Sequence, residues 1–241
     1  MHLSFESLLL LGILSFYLYD SLMLLYFNEV VFSLGLSGWG FSNPNGRWRV
    51  AGKKPYIPNL FSPFSPTFRL SWSKNKRELV EYYSEDFDTF LNELKLVGYP
   101  IITLMYLIFI CLPIALLKFG AGIQLLIIMC SIYLTIGFTS ILIYRKRNSL
   151  KLTNKMYWSI VFDAFACPPF SINIVRKISL NYPLRIDAVE FGSSNLNDKK
   201  FMLFIDSIKS KLDEELESEA KNSKNALSIK QYKSILSGIR K

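Results

Sequence analysis

The stretch YPIITLMYLIFICLPIALLKFGAGIQLLIIMCSIYLTIGFTSILIY, residues 99–144, decides the fold class. It holds two apolar runs, Tyr99–Leu117 and Ile123–Tyr144, and a single charge, Lys118. About 20 apolar residues cross a bilayer core, so each run reads as a transmembrane helix. The link Lys118-Phe119-Gly120-Ala121-Gly122 is short and glycine-containing, which suits a tight turn between antiparallel neighbours. Pro113 predicts a kink in the first of the two helices, because it lacks an N–H and clashes with the preceding turn.

Upstream, a third run extends from Leu8 to Leu36, interrupted by Asp20, Asn28 and Glu29. Leu8–Phe27 is its natural span. No Lys or Arg precedes it and it is long for a signal peptide, so it reads as a retained helix. The expected fold class is therefore an α-helical integral membrane protein with three transmembrane helices, one plus a hairpin. The expected domains are 1–36, first span and inner-interface extension; 37–98, cytoplasmic segment; 99–144, hairpin; and 145–241, basic cytoplasmic tail.

The composition agrees. Hydrophobic residues make up 51% and charged residues 20% of the 241, and the mean hydropathy is +0.25. That excludes a disordered chain. Three cysteines and one histidine exclude a disulfide scaffold and a Cys/His zinc module. The net charge of +9 is unevenly placed. Nine Lys and Arg lie between Ser37 and Gly98, and Arg145-Lys146-Arg147 directly follows the third run. By the positive-inside rule the N-terminus is outside and the C-terminus cytoplasmic. Abundant Lys, Asn and Ile suit a bacterial inner membrane. The basic charge then serves anionic headgroups, and no nucleic acid is expected.

Ser37–Trp72 holds five of the ten prolines and cannot be one long helix. Asn43-Pro44-Asn45-Gly46 is a turn signal, so a β-hairpin is expected between Gly38–Phe41 and Arg47–Val50. Pro55–Pro66 reads as an extended strap on an apolar surface. Trp39, Trp48 and Trp72 suit either the headgroup level or a small hairpin core. Leu79, Tyr83, Phe87, Phe90, Leu94 and Val97 form one helical stripe, which Gly98 and Pro100 are expected to end. The opposite face carries Glu78, Glu81, Glu85, Asp86, Asp88 and Glu93, read as a solvated acidic face.

In the tail, Met156–Phe170 is apolar but short for a span. An interfacial helix, a bend at Pro168-Pro169 and a second interfacial helix are expected, with a soluble core helix or a re-entrant segment as alternatives. Trp158 and Phe162 are candidate partner contacts, with Arg145, Lys146 and Arg147 beside them. Asn195–Asp198 caps a further helix whose Phe201, Phe204, Ile205, Ile208, Leu212 and Leu216 share a face. Lys209–Asp213 and Lys211–Glu215 are expected as exposed pairs. Ile229, Tyr232, Leu236 and Ile239 mark a last helix.

No nucleotide loop, nucleophile elbow or zinc-protease motif occurs, and His2 is the single histidine. No catalytic, cofactor-binding or metal-ligating residue is assigned. The polar candidates lie within the apolar runs: Asp20, Asn28, Glu29, Gln124, Ser131, Thr135 and Thr139. Asp20 falls about 18 Å into its span, where insertion costs roughly 2.5–3.5 kcal/mol. The Ser131/Thr135 face is its expected partner. The residues favour a non-enzymatic partner-binding or assembly component at the cytoplasmic membrane surface. Its partners would be lipids, other membrane or cytoplasmic proteins, or a second copy. A transporter or channel subunit using Asp20 is the alternative, and a membrane-embedded lipid or glycan enzyme a weaker one.

Overall fold

The structure is a computed structural model that describes residues 5–43, 49–72, 85–120, 122–184 and 186–218. It is mostly helical, with a small sheet region, and divides into two compact units. The first takes the described residues within Met1–Met23, Ile57–Thr67 and Tyr83–Pro183. The second takes those within Leu24–Tyr56, Phe68–Tyr82 and Leu184–Lys241.

Among the described residues, two helical stretches are long and apolar enough to cross a membrane. Asp86–Phe119 runs 34 residues through α2 (Glu85–Tyr106), a π-helical turn (Leu107–Cys111) and α3 (Leu112–Phe119). Ile123–Arg145, α4, runs 23. Gly98 and Pro100 do not end α2, contrary to expectation. A proline in a helix interior costs about 3 kcal/mol. The stripe Phe87, Phe90, Leu94, Val97, Ile101, Leu104 and Ile108 runs unbroken through it, and all seven are buried. Each such side chain returns about 1.5–3 kcal/mol on burial, so packing wins. Pro113 is accommodated by the π turn before it, where the Leu112 N–H donates to the Leu107 carbonyl. The wider turn relieves the carbonyl that a proline ring would strike.

Among the described residues the first expected span is a shorter helix. The first helix, α1 (Phe5–Ser21), has 17 residues, about 25 Å, against a core of about 30 Å. After Ser21 the apolar run becomes strand β1 (Met23–Leu25), a turn closed by the Glu29 N–H on the Tyr26 carbonyl, and β2 (Glu29–Gly35). An apolar run without periodicity fits a buried strand as well as a helix, and Val30 and Val31 favour the strand.

Within the first unit, α5 (Asn154–Ala166) starts at Thr153, whose hydroxyl accepts from the Met156 N–H. It runs back along α4: Tyr157 meets Tyr144, and Phe165 meets Tyr133. The chain bends through α6 (Pro168–Ser171), as the two prolines predict, and returns as α7 (Ile174–Leu180). The second helix is not interfacial: Ile174, Val175, Arg176, Ile178 and Ser179 are all buried. The acidic face of α2 is partly neutralised, because Lys146 pairs with Glu93 at 2.8 Å and Lys151 with Asp86 at 3.1 Å. Gly98 faces Phe64 of the proline-rich strap.

The second unit contains a three-stranded sheet in the order β3 (Gly38–Ser42), β2, β5 (Thr67–Ser71), and β1 paired with β4 (Lys54–Tyr56). The hairpin expected across Asn43–Gly46 falls mostly outside the described residues, and a different hairpin is found before it. β2 and β3 pair antiparallel with Gly35 opposite Gly38, whose φ of +87° favours glycine. A further turn closes at Ala51-Gly52, both at positive φ, between Val50 and Lys53. Pro44–Trp48 lie outside the described residues. Trp72 and Phe68 are buried, and half-buried Trp39 meets Phe68 and Phe191. Trp39 and Trp72 thus belong to a small core.

That core is closed by α8 (Ala188–Asn195) and α9 (Asp198–Ser218). Asp187 accepts the Val189 N–H, and Asn197 accepts the Lys200 N–H. Phe201, Phe204, Ile205, Ile208 and Leu212 have no exposed surface. Lys211 is buried instead of paired on the exposed side, since position 211 borders the stripe. The expected last helix and the stripe positions Leu79 and Tyr83 lie outside the described residues. A Cβ at Gly192 would sit 3.0 Å from the Phe204 ring, whereas one at Gly98 would meet Phe64 at an ordinary 3.6 Å. Gly192→Ala should therefore destabilise by about 1–3 kcal/mol. Gly98→Ala should be neutral or stabilising, which chemical denaturation in detergent would show.

Candidate functional site

The densest polar constellation in the first unit forms where α1 ends. Asp20 Oδ1 receives a salt bridge from Lys177 Nζ at 2.8 Å, and Asp20 Oδ2 accepts from Asn173 Nδ2 at 3.0 Å. Asn173 Oδ1 accepts from Arg176 Nη1 at 2.8 Å, and Arg176 Nη2 donates to the Asn59 carbonyl at 3.0 Å. Lys177 also approaches Asp163 of α5 at 3.4 Å and lies over the Phe170 ring at 5.1 Å. Asn173, Arg176 and Lys177 sit at i, i+3 and i+4, so one face of a short helix presents all three. The strap supplies backbone acceptors: the Leu60 carbonyl takes the Tyr17 hydroxyl at 2.6 Å.

Asp20 and Lys177 side chains are 11% and 21% exposed, and Arg176 is 3% exposed. Charges taken so far from water persist when paired and hydrogen-bonded. Two carboxylates and two cations balance here. The arrangement ties α1, α5, α7 and the strap together; its chemistry is charge compensation.

Beside it, burial raises the Cys167 thiol above its ordinary pKa. Asp20 and Asp163 add to this, against a Phe170 backbone hydrogen bond and Lys177. The thiolate is therefore scarce at neutral pH, which disfavours a nucleophile. Among the described residues no group of three His, Cys, Asp or Glu is placed to hold a metal ion.

The expected partner of Asp20 is not the one found. Ser131, Thr135 and Thr139 donate to the carbonyls of Ile127, Ser131 and Thr135 on their own helix. A hydroxyl in an apolar helix satisfies itself this way at no cost in reach. Gln124 is exposed. Asn28 and Glu29 belong to the second unit. The Asn28 carbonyl accepts the Trp72 N–H, and Glu29 accepts the Tyr26 N–H and lies 3.7 Å from Arg69. Trp158 and Phe162, the candidate partner contacts, are 62% and 73% exposed on α5. Arg145 is exposed, Lys146 holds Glu93, and Arg147 bonds Asn154 and lies over Tyr144. Trp48 lies outside the described residues.

Sequence reasoning missed Asn173, Arg176 and Lys177. Their i, i+3, i+4 spacing was a usable signal, obscured because the face opposite an apolar stripe is usually solvated.

In the second unit, Lys211 Nζ donates to the Glu29 carbonyl at 3.1 Å and the Phe27 carbonyl at 3.4 Å. Burial lowers its pKa to about 8, helped by Lys54 and opposed by Glu214 and Glu29. Lys54 itself pairs with Glu214 at 2.8 Å and holds that carboxyl below its usual range. Comparison of the chain with protein-family models, curated proteins and solved structures gives no match.

Removing one partner of a buried pair costs about 3–5 kcal/mol. Lys177→Met, which removes the salt bridge of the buried Asp20, should lower thermal stability more than Asp163→Asn, whose carboxyl is 44% exposed. Asp20→Leu combined with Lys177→Leu should recover part of the loss. Equal melting of Lys177→Met and wild type would remove the role assigned to the pair.

Lys211 sets a pH dependence. Its folded pKa lies below the unfolded value, so the cost of burying the charge is fully present below about 8. That cost fades as pH rises towards 10.5, and stability rises with pH across this window. Melting at pH 7.5 and 9.5 should show the rise in the wild type and a smaller one in Lys211→Met.

Proposed function

We propose that the chain is a non-enzymatic integral membrane protein, a partner-binding or assembly component that presents its central segment and tail at the cytoplasmic membrane surface. The observation that carries this reading is the outer face of α4. Ile123, Leu126, Ile127, Leu134, Phe138 and Ile141 are 58–74% exposed. Soluble monomers rarely expose contiguous apolar surface on that scale. The facing stretch of α2 and α3 adds Tyr99, Ile102, Tyr106, Ile110, Ile114 and Leu117.

Orientation follows from charge. Arg145, Lys146 and Arg147 close one end of the hairpin and Lys118 alone stands at the other, which puts the turn outside and the C-terminus in the cytoplasm. Helix α1 is read as a third, short span. Leu9 and Ile13 share a cavity with Leu116 and Leu125 near the turn, and Tyr17 meets Phe109 farther from it. The N-terminus therefore lies on the turn side, outside. A span that ends early on a carboxylate needs compensation, and Lys177 supplies it. Fixed bonds to Lys177 and Asn173 suit a structural Asp20 better than a transporting one. The composition suits a bacterial inner membrane, and the paired polar groups favour recognition over catalysis. On α9, Met202 and Leu203 are 41% and 56% exposed and offer a partner contact.

Alkaline extraction should leave the protein in the membrane pellet, and reporters should find Gly120 outside and Lys241 inside. Extraction into the supernatant would overturn the membrane reading. A photo-crosslinker at Leu203 should give one discrete adduct in cells; a clean failure there would overturn the partner-binding reading.

A further inference from the structure

The first unit holds a partly open apolar cavity of about 300 Å³ between α1, α3, α4 and α6. Leu9 and Ile13 line it from α1, Leu112 and Leu116 from α3, Met129 from α4 and Pro168 from α6. No side chain lining it carries a nitrogen or oxygen atom. We propose that this cavity is a binding site for one acyl chain of a membrane lipid. The proposal rests on the membrane reading above.

Elimination and placement lead to the occupant. Buried water needs two to four polar partners, and this lining gives none. Apolar cavities of about 150 Å³ already stay dry and accept hydrocarbon, and this one is twice that size. Leaving it empty forfeits dispersion contacts along the whole lining, a cost that grows with volume. Leu9, Ile13, Leu125, Met129 and Pro168 are half-buried, so the cavity is not sealed. Leu8 and Leu11 on α1 and Leu126 on α4, near lining residues in the chain, are exposed and apolar. In a bilayer the neighbouring medium is hydrocarbon, and a lipid chain is the apolar group at highest concentration there.

Helix α1 also separates the chain from the charges. Leu9, Ile13, Phe16 and Asp20 recur at steps of four, three and four, so they share one face. Phe16 lies between the cavity residues and Asp20 and meets Phe170 edge-on at 6.2 Å. That aromatic pair stands between the cavity residues of α1 and the Asp20–Lys177 bridge, so the site takes the acyl chain alone.

The test uses the full-length protein in bilayer nanodiscs of phosphatidylcholine bearing a diazirine on one acyl chain. After irradiation, adducts are mapped by mass spectrometry. The expected result is adducts on Ile13 and Met129, reduced at least fivefold in Ile13→Trp or in Leu116→Phe, with adducts on outward-facing Phe138 unchanged. Two filling variants guard against one failing to fold, and the wild-type map stands without either. Adducts on Phe138 with none on Ile13 or Met129 would overturn the acyl-chain site and leave the membrane reading intact. Failure to insert into the bilayer would overturn both.

Discussion

Lys177 is the group on which the first unit turns. Its ammonium bridges Asp20 of α1 and Asp163 of α5 from its own place on α7, so three helices meet at one charge. Asn173 extends the same carboxylate to Arg176, and Arg176 reaches the strap carbonyl of Asn59. Asp20 and Arg176 lie far from bulk water, where an unpaired charge costs several kcal/mol. The polar groups therefore specify where the end of α1 and the returning helix must sit, while apolar packing alone would tolerate sliding. This follows from geometry: hydrophobic contact is non-directional, and a carboxylate with two defined partners is not.

The long hairpin shows the converse, packing overriding local chemistry. Gly98, Pro100 and Pro113 are all helix-weakening residues, yet helix persists from Glu85 to Phe119, with one π-helical turn at Leu107–Cys111. A buried stripe continuous from Phe87 to Ile108 outweighs the local penalties. The basic cluster after α4 has a structural part beside its topological one, since Lys146 and Lys151 hold the acidic face of α2.

The second unit is held by aromatic packing. Phe32 contacts Phe191 and Phe204, and Phe41 contacts Phe204, each pair edge-on with centroids 4.9–5.4 Å apart. Such pairs add to the area they bury. Lys211 threads the border of this core and satisfies the carbonyls of Phe27, in the turn before β2, and of Glu29, at its start, at a cost in protonation. A lysine used this way fixes a turn whose carbonyls would otherwise be stranded.

By itself the sequence determined the two long apolar helices, the tight turn between them, the bend at Pro168-Pro169 and the buried face of α9. Each depends on local periodicity or on a residue with one backbone habit. Four matters were decided by tertiary structure. The run Leu8–Leu36 is helix and then strand, because an unpatterned apolar run fits both. The hairpin turn falls at Leu36-Ser37, because strand partners set the register. The helix through Pro100 continues, because its stripe is buried. Asp20 pairs with Lys177, 157 positions away in the chain, and not with the hydroxyls of α4. Hydroxyl groups satisfy themselves within their own helix turn, whereas an isolated carboxylate is satisfied only by a charge that folding brings to it.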